Sequence, residues 1–169
     1  HSMVYSLPIA SAQVKSALLF AGLFAKGTTQ LTGNIQSRDH TERMMPQFSV
    51  SLYEESHSNL EGKLSISRLS IPGEQTLHAT DLTIPGDFSS AAFWLVAATL
   101  IPKSKVRLSQ VSLNSTRTGL LSVLKRMGGY IEEESTFPLI PQANRFEPMG
   151  NLVVHSADVQ STNITKDEI

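Results

Sequence analysis

Hydrophobic residues in this sequence concentrate in two long runs, residues 17–25 and 91–101, each with a short polar segment directly before it. Each run is apolar on nearly all sides of a helical turn, which is typical of a buried helix rather than of an amphipathic surface helix. We therefore expect one helix over residues 11–25 and another over residues 89–101. Gly27 stands where it can end the first of them.

The remaining periodic segments predict strands and two shorter helices. Alternating or β-branched residues predict strands over the following ranges: 5–9, 28–35, 50–55, 63–69, 76–84, 105–113, 130–136 and 152–156. Asp39 with Glu42 three residues later is typical of a capping box, and Pro46 should shorten or kink the helix that follows. A further helix is expected from Asn114 onwards, and Gly128 should end it.

The two halves of the chain repeat one order of elements: strand, helix, strand, helix, strand, strand. When the sequence is laid over itself with a shift of 74 residues, Ser16 falls on Ser90 and Arg43 falls on Arg117. A self-match at a fixed period indicates two copies of one supersecondary unit. We therefore expect an α/β fold of two βαβαββ units, each with two helices packed on a four-stranded mixed sheet.

Composition narrows the possible functions. The chain has 169 residues, 40% of them hydrophobic, and a formal net charge of −1, which argues against a dedicated nucleic-acid-binding or membrane-surface protein. It has no cysteine, which excludes a disulfide framework, a thiolate nucleophile and a cysteine-based zinc site. No metal site is expected either, since the five histidines show no metal-ligand spacing. A cytoplasmic protein is expected, with residues 1–3 as the remnant of an expression tag.

Two polar clusters stand at the predicted starts of the first pair of helices: Ser11-Ala12-Gln13 and Ser37-Arg38-Asp39-His40. Helix N-termini carry partial positive charge and unpaired N–H donors, so a pair of such starts suits an anion, phosphate above all. The alternative is that Ser11 and Asp39 merely cap their helices, and caps of this kind are common.

Other charged residues have a structural interpretation beside a functional one. His40 could act as a general base, but a histidine at the surface or at a helix start is the commoner case. Asp87 is interpreted as the cap of the second apolar helix. Lys15 lies within the first apolar helix, where a carboxylate partner or an extended side chain is expected. Glu42 and Arg43 are expected to form a surface ion pair.

Four ordered motifs resemble one known family. SAQVKSALLFAGL, followed about two dozen residues later by SRDHTERMM, closely resembles 3-phosphoshikimate 1-carboxyvinyltransferase, or EPSP synthase. The segments IPGDFSSAAFWLVAATLI and NSTRTG-LLSVLKRMGGYI resemble the same family in the same order. The resemblance covers nearly the whole chain, from Tyr5 to about Ile164.

The resemblance implies a fold and a place in a larger chain. EPSP synthase is an inverted α/β barrel of six such units, three in each of two globular domains, with the chain crossing between the domains twice. On that plan this chain is an internal fragment. Residues 4–84 would be one βαβαββ unit with the phosphate motifs, and residues 85–169 a second unit from the other domain, incomplete at its end.

The resemblance also implies an activity. The family transfers the enolpyruvyl group of phosphoenolpyruvate to the 5-hydroxyl of shikimate 3-phosphate in aromatic amino-acid biosynthesis, without metal or organic cofactor. By motif, the residues that would contact shikimate 3-phosphate are Ser11, Ala12, Gln13, Ser37 and Arg38. Arg38 would hold the phosphate by a charge-assisted contact, and Gln13 would reach both substrates.

No catalytic residue is expected within this chain. Asp167-Glu168 resembles the catalytic Asp-Glu pair of the family, but the register set by Ser156 places that aspartate just beyond Ile169. The Lys and Arg residues of the family's chain ends, which bind phosphoenolpyruvate, have no counterpart here. The expected partners are therefore the two small substrates and the remainder of the parent chain, and the fragment itself is expected to be inactive.

Two alternatives remain open at the level of the sequence. One is a fragment of UDP-N-acetylglucosamine 1-carboxyvinyltransferase, which shares the fold, although SRDHTERMM argues against it. The other is a non-catalytic α/β module with a structural or nucleic-acid-binding role. The neutral charge and the lack of aromatic–basic stripes disfavour nucleic acid.

Overall fold

The computed structural model describes residues 1–58, 64–135 and 147–165, and the chain divides into two compact units, His1–Asp81 and Leu82–Ile169. The first unit contains β1 (Val4–Leu7), α1 (Ala12–Leu23), β2 (Thr28–Gly33), α2 (His40–Met44), a 3₁₀ turn (Met45–Phe48), β3 (Tyr53–Ser58) and β4 (Leu64–Pro72). The second unit contains α3 (Phe88–Leu100), β5 (Lys105–Ser112), α4 (Gly119–Arg126), β6 (Tyr130–Ser135) and β7 (Met149–His155). Every predicted helix is present.

The first unit is a four-stranded mixed sheet in the order β1-β2-β4-β3, as expected from the repeat. β1 runs parallel to β2, and the other two pairings are antiparallel. α1 packs directly on this sheet, because a Cβ at Gly22 would lie 2.7 Å from Ile71 Cγ2. The residues buried between the helices and the sheet are Leu7, Leu19, Leu23, Leu31, Ile35, Met45, Val50, Leu69 and Ile71.

The second unit repeats three strands of the first. Its described sheet is antiparallel in the order β5-β7-β6, which matches β2-β4-β3. At the position of the first strand there is a single parallel bridge between Gly86 and Val111. The Gly86 N–H donates to the Gln110 carbonyl at 2.7 Å, and the Ser112 N–H donates to the Gly86 carbonyl at 2.9 Å. The bridge has the same parallel sense as the β1–β2 pair.

The prediction of a strand over residues 76–84 is wrong. This segment is exposed and has no regular secondary structure. Its alternating pattern is compatible with a strand, but a strand also needs a neighbouring edge to pair with. Within the segment His78 makes one main-chain bond, N–H to the Phe48 carbonyl at 3.0 Å, and sheet pairing begins only at Gly86.

Helix α4 begins at Gly119 rather than at Asn114. The Asn114 side-chain oxygen accepts the Thr116 N–H at 2.9 Å and the Thr116 hydroxyl at 2.7 Å. Such a bond to the main chain two residues on builds an Asx turn, which competes with helix at the same residues. The helix end at Gly128 is as expected, with φ +96° there.

The expectation that the two apolar helices are buried holds for only one face of each in this chain. Phe24 after α1 is 81% exposed, and on α3 Phe93 is 79% and Trp94 is 62% exposed. A helix on one sheet buries only the face that meets the sheet. Each unit covers one face of its apolar helix with its own sheet, and the other face remains exposed.

Candidate functional site

The first polar cluster lies at the start of α1. Ser11 is the N-cap, with extended backbone, and its hydroxyl oxygen accepts the Val14 N–H at 3.3 Å. The first helical bond runs from the Lys15 N–H to the Ser11 carbonyl at 3.0 Å. The main-chain N–H groups of Ala12 and Gln13 therefore precede the hydrogen-bonded part of the helix, where donors are free for an anion.

The second polar cluster lies between β2 and α2. Ser37 is half-buried and Arg38 is exposed, in a segment without regular secondary structure. The prediction of a capping box at the start of α2 is wrong. Asp39 caps no main-chain group through its side chain, and its carboxylate instead accepts the Arg43 Nε–H at 2.8 Å. An arginine one turn away competes for the carboxylate because a charge-assisted bond is stronger than a neutral one.

Strand pairing brings the two clusters to the same edge of the sheet. Leu7 and Gly33 are partners at the ends of β1 and β2. Ser11 follows Leu7 by four residues, and Ser37 follows Gly33 by four residues. Because the two strands are parallel, their carboxyl ends meet at one edge, which is where α/β sheets bind ligands. Asn34 joins the two outgoing segments, donating from Nδ2 to the Pro8 carbonyl at 2.7 Å.

A buried lysine connects the elements that bear the two clusters. The Lys15 ammonium lies 2.5 Å from Glu42 Oε1, and it donates to the carbonyls of Ile35 at 3.2 Å and Ser37 at 3.5 Å. The carboxylate partner expected for Lys15 is confirmed. The prediction of a Glu42–Arg43 ion pair is wrong, because Glu42 pairs with Lys15 and Arg43 pairs with Asp39. Sequence reasoning missed the two carbonyl contacts, which no local pattern indicates.

The charges around this edge leave one cation available. Among residues 1–58 and the other described parts of the chain, the Arg38 guanidinium has no hydrogen bond or ion pair. Arg43 is neutralised by Asp39, and Lys15 by Glu42. Partial burial, followed by the negative charges of Glu42 and Asp39, raises the pKa of the Glu54 carboxyl above its usual range. An anion arriving at this edge would therefore meet Arg38 as its unpaired positive partner.

His40 is the exposed first residue of α2. As the last residue of the second cluster, it has the position of a helix-start histidine, which is the commoner case named above.

The corresponding helix start in the second unit is already filled by a carboxylate. Asp87 caps α3, accepting the N–H groups of Ser89 at 3.2 Å and Ser90 at 2.9 Å and the Ser90 hydroxyl at 2.9 Å. These bonds, together with Arg117, hold the pKa of Asp87 below its usual range. No role could be assigned to Arg117 from the sequence. In the structure its guanidinium donates to the Ser89 hydroxyl and lies 3.6 Å from Asp87. The helix start of α3 is thus neutralised from within the unit, whereas a neutral hydroxyl caps α1.

Within the described ranges, no group of three His, Cys, Asp or Glu side chains could hold a metal ion. No helix there has the length and apolar character needed to cross a bilayer. The Asp167-Glu168 pair, considered above as a catalytic candidate, lies outside the described residues.

The fold and this edge define a repeat protein of the α/β class, with βαβαββ units and two polar clusters at the carboxyl ends of neighbouring strands in the first of them. A family model described as EPSP synthase (3-phosphoshikimate 1-carboxyvinyltransferase) matches residues 1–161. The chain belongs to the EPSP synthase family.

Individual relatives agree with this assignment. The chain is 46% identical over 165 residues to a 3-phosphoshikimate 1-carboxyvinyltransferase of Bacillus pumilus, covering 98% of this chain and 35% of that protein. It is 43% identical over 166 residues to the protein of that name from Bacillus subtilis, with coverage of 98% and 35%. A solved EPSP synthase from Acinetobacter baumannii superposes with a TM-score of 0.82 at 34% identity, over 99% of this chain and 34% of that one. These matches confirm the family and the fold class, and the chain spans about a third of the length of the curated relatives it matches.

Proposed function

We propose that this chain is part of a 3-phosphoshikimate 1-carboxyvinyltransferase, and that its first unit binds shikimate 3-phosphate. The whole protein would transfer the enolpyruvyl group of phosphoenolpyruvate to the 5-hydroxyl of shikimate 3-phosphate and release phosphate. One observation carries the proposal. Two parallel strands end as partners at Leu7 and Gly33, and the segments that leave them begin two polar clusters, one of which bears the unpaired guanidinium of Arg38.

The roles of the site residues follow from their chemistry. The main-chain donors of Ala12 and Gln13, at the positive end of α1, suit a phosphate or a sugar hydroxyl. The Ser11 hydroxyl, already an acceptor from Val14 N–H, still has a proton to donate. Ser37 and Arg38 would hold the phosphate from the other side, with Arg38 able to make a bidentate contact.

The rest of the reaction is assigned to the remainder of the parent chain. We infer no catalytic residue within these 169 residues and no metal or organic cofactor for the reaction. Phosphoenolpyruvate would be held mainly by residues outside this piece, in a cytoplasmic protein that binds neither nucleic acid nor membrane. The predicted division into a substrate-binding unit over residues 4–84 and an incomplete second unit over residues 85–169 belongs to this proposal.

Calorimetric titration of the chain with shikimate 3-phosphate tests the proposal. The unaltered chain should bind, and Arg38→Ala should weaken binding at least tenfold, because a charge-assisted contact to phosphate is removed. Arg68→Ala is the matched control, since Arg68 lies on β4 of the same unit and already pairs with Glu55 at 3.3 Å. Binding that Arg38→Ala and Arg68→Ala reduce equally would contradict the site, and no binding by the unaltered chain would contradict the function.

A further inference from the structure

We propose that Lys15 and Glu42 form a positioning pair for the phosphate site, which sets the peptide between Ser37 and Arg38 in its binding orientation without touching the ligand. This inference rests on the proposed function, and deepens it by naming what holds the two clusters in register. It follows from the contacts of the Lys15 ammonium, which joins α1, α2 and the segment between β2 and α2.

The Lys15 ammonium is deeply buried, and each of its three N–H donors has an acceptor. The exposed fraction is 2% for the Lys15 side chain and 4% for that of Glu42. An ammonium has three N–H donors, and the described structure supplies three acceptors: Glu42 Oε1 and the carbonyls of Ile35 and Ser37. A buried charge is tolerated only when it is paired and hydrogen-bonded in this way.

The carbonyl contact decides where the neighbouring N–H points. The described chain has no cis peptide, and in a trans peptide the C=O and N–H bonds point in opposite directions. Because the Ser37 carbonyl is directed to the buried ammonium, the Arg38 N–H is directed away from it. The same ammonium thus sets the orientation of the peptide from which the Arg38 side chain departs.

Lys15 also connects this peptide to the first cluster. Its own N–H donates to the Ser11 carbonyl at 3.0 Å, so a single residue bonds to Ser11 through its main chain and to Ser37 through its side chain. A movement of one cluster against the other would break a bond of a buried charge, which is costly. The distance between the two halves of the proposed phosphate site is therefore set by Lys15.

Stability alone is a weak explanation of this pair. Buried ion pairs can often be replaced by apolar side chains of similar size without loss of stability. Glu42 Oε2 is buried and has no hydrogen bond within the described residues, so the pair is not an optimised stabilising contact. Apolar replacements would fill the space, but they would release the carbonyls of Ile35 and Ser37.

The test uses the double variant Lys15→Met/Glu42→Leu, which removes both charges together. It should fold, with a melting temperature within a few degrees of the unaltered chain, and should bind shikimate 3-phosphate at least tenfold more weakly. The control is Ser16→Ala/Thr41→Ala, which removes another α1–α2 contact, the 2.6 Å bond between two hydroxyls. This control should keep the dissociation constant within twofold.

A thermodynamic cycle with Arg38→Ala separates positioning from a general structural role. If the pair acts through Arg38, adding Arg38→Ala to Lys15→Met/Glu42→Leu should cost clearly less affinity than Arg38→Ala costs alone. Additive losses, unchanged affinity in the double variant, or failure of that variant to fold would each overturn the inference while leaving the proposed function intact. No binding by the unaltered chain would overturn the proposed function and this inference with it.

Discussion

Leu7 and Gly33 face each other at the ends of two parallel strands, and the backbone of one leaves no room for a side chain on the other. A Cβ at Gly33 would lie 2.8 Å from the Leu7 carbonyl oxygen and 2.6 Å from the Ser6 hydroxyl oxygen. Gly33 also has φ +76°, a conformation that other residues rarely adopt. The junction from which both polar clusters depart therefore requires glycine.

Gly33→Ala should destabilise the first unit and weaken shikimate 3-phosphate binding. The left-handed backbone costs an L-residue about 1–2 kcal/mol, and the contact with the Leu7 carbonyl adds to this. Gly86→Ala is the matched control, because a Cβ there would meet its nearest atom, the Gln110 carbonyl oxygen, at an ordinary 3.4 Å. Urea denaturation measures the free energy of unfolding of the two variants. Equal losses of this free energy would show that the junction does not require glycine at position 33.

Substitutions of Ser11 can distinguish a capping role from a ligand contact. Ser11→Ala should cost about 1 kcal/mol of stability, whereas Ser11→Gly should cost only a few tenths, since glycine is tolerated at the N-cap. Both variants remove the hydroxyl, so both should bind shikimate 3-phosphate more weakly if Ser11 contacts it. Thermal denaturation and calorimetry on the same samples measure the two effects. Retention of full affinity by Ser11→Gly would mean that Ser11 is only a cap.

The carboxylate of Asp87 should make the second unit sensitive to acid. Its pKa is lowered from 3.8 in the folded chain by hydrogen bonds from Ser90 and Ser89, with Arg117 nearby. A depressed carboxyl pKa contributes stability above the unfolded value, and this contribution is lost as the pH falls through the folded pKa. Asp87→Asn keeps a good N-cap but does not titrate in this range. The stability difference between the unaltered chain and Asp87→Asn should therefore shrink as the pH is lowered from 6 towards about 2.

Circular dichroism at a series of pH values measures this difference. Asp87→Ala should lose about 1 kcal/mol at neutral pH, because neither a charge nor a capping oxygen remains. A pH profile of Asp87→Asn that matches that of the unaltered chain would show that the Asp87 carboxylate does not contribute.

The isolated chain should not catalyse the transferase reaction. Loss of one preorganised donor typically costs on the order of 100-fold or more in rate, and this chain spans about 35% of its relatives. Weak shikimate 3-phosphate binding is expected to survive, since the five proposed site residues belong to one unit. Phosphate release from the two substrates is the assay. Turnover near that of a full-length synthase would place essential acid–base groups within this chain, with Asp87, Asp167 and His40 the first to substitute.

Much of this protein can be predicted from local sequence, because the responsible forces are local. Gly128 directly follows the C-cap of α4 and has positive φ, as expected of a residue without a side chain. Gly27 also has positive φ, but α1 already ends at Leu23. Pro46 converts the end of α2 into a 3₁₀ turn, since it has no N–H for the helix. The four motifs that follow one another in the order of the family, and the internal repeat, are likewise properties of the linear chain. They were sufficient to predict the family and the βαβαββ order.

Other features depend on which segments meet in space. The alternation over residues 76–84 is compatible with a strand, yet among the described residues this segment pairs with no other strand. Glu42 has the spacing of a capping box, yet its carboxylate turns to Lys15, 27 positions earlier in the sequence and brought close only by the packing of α1 against α2. Charge-assisted bonds outcompete local caps when tertiary structure supplies the partner.

The sequence alone determined the helices, the repeat and the polar clusters at the helix starts, because caps, glycines and apolar periodicity act within a few residues. Only the tertiary structure decided that the two clusters leave one sheet edge and that a buried Lys15 joins them. Each of these depends on strand pairing or on a buried charge finding its acceptors, and both require contacts between residues that are distant along the chain.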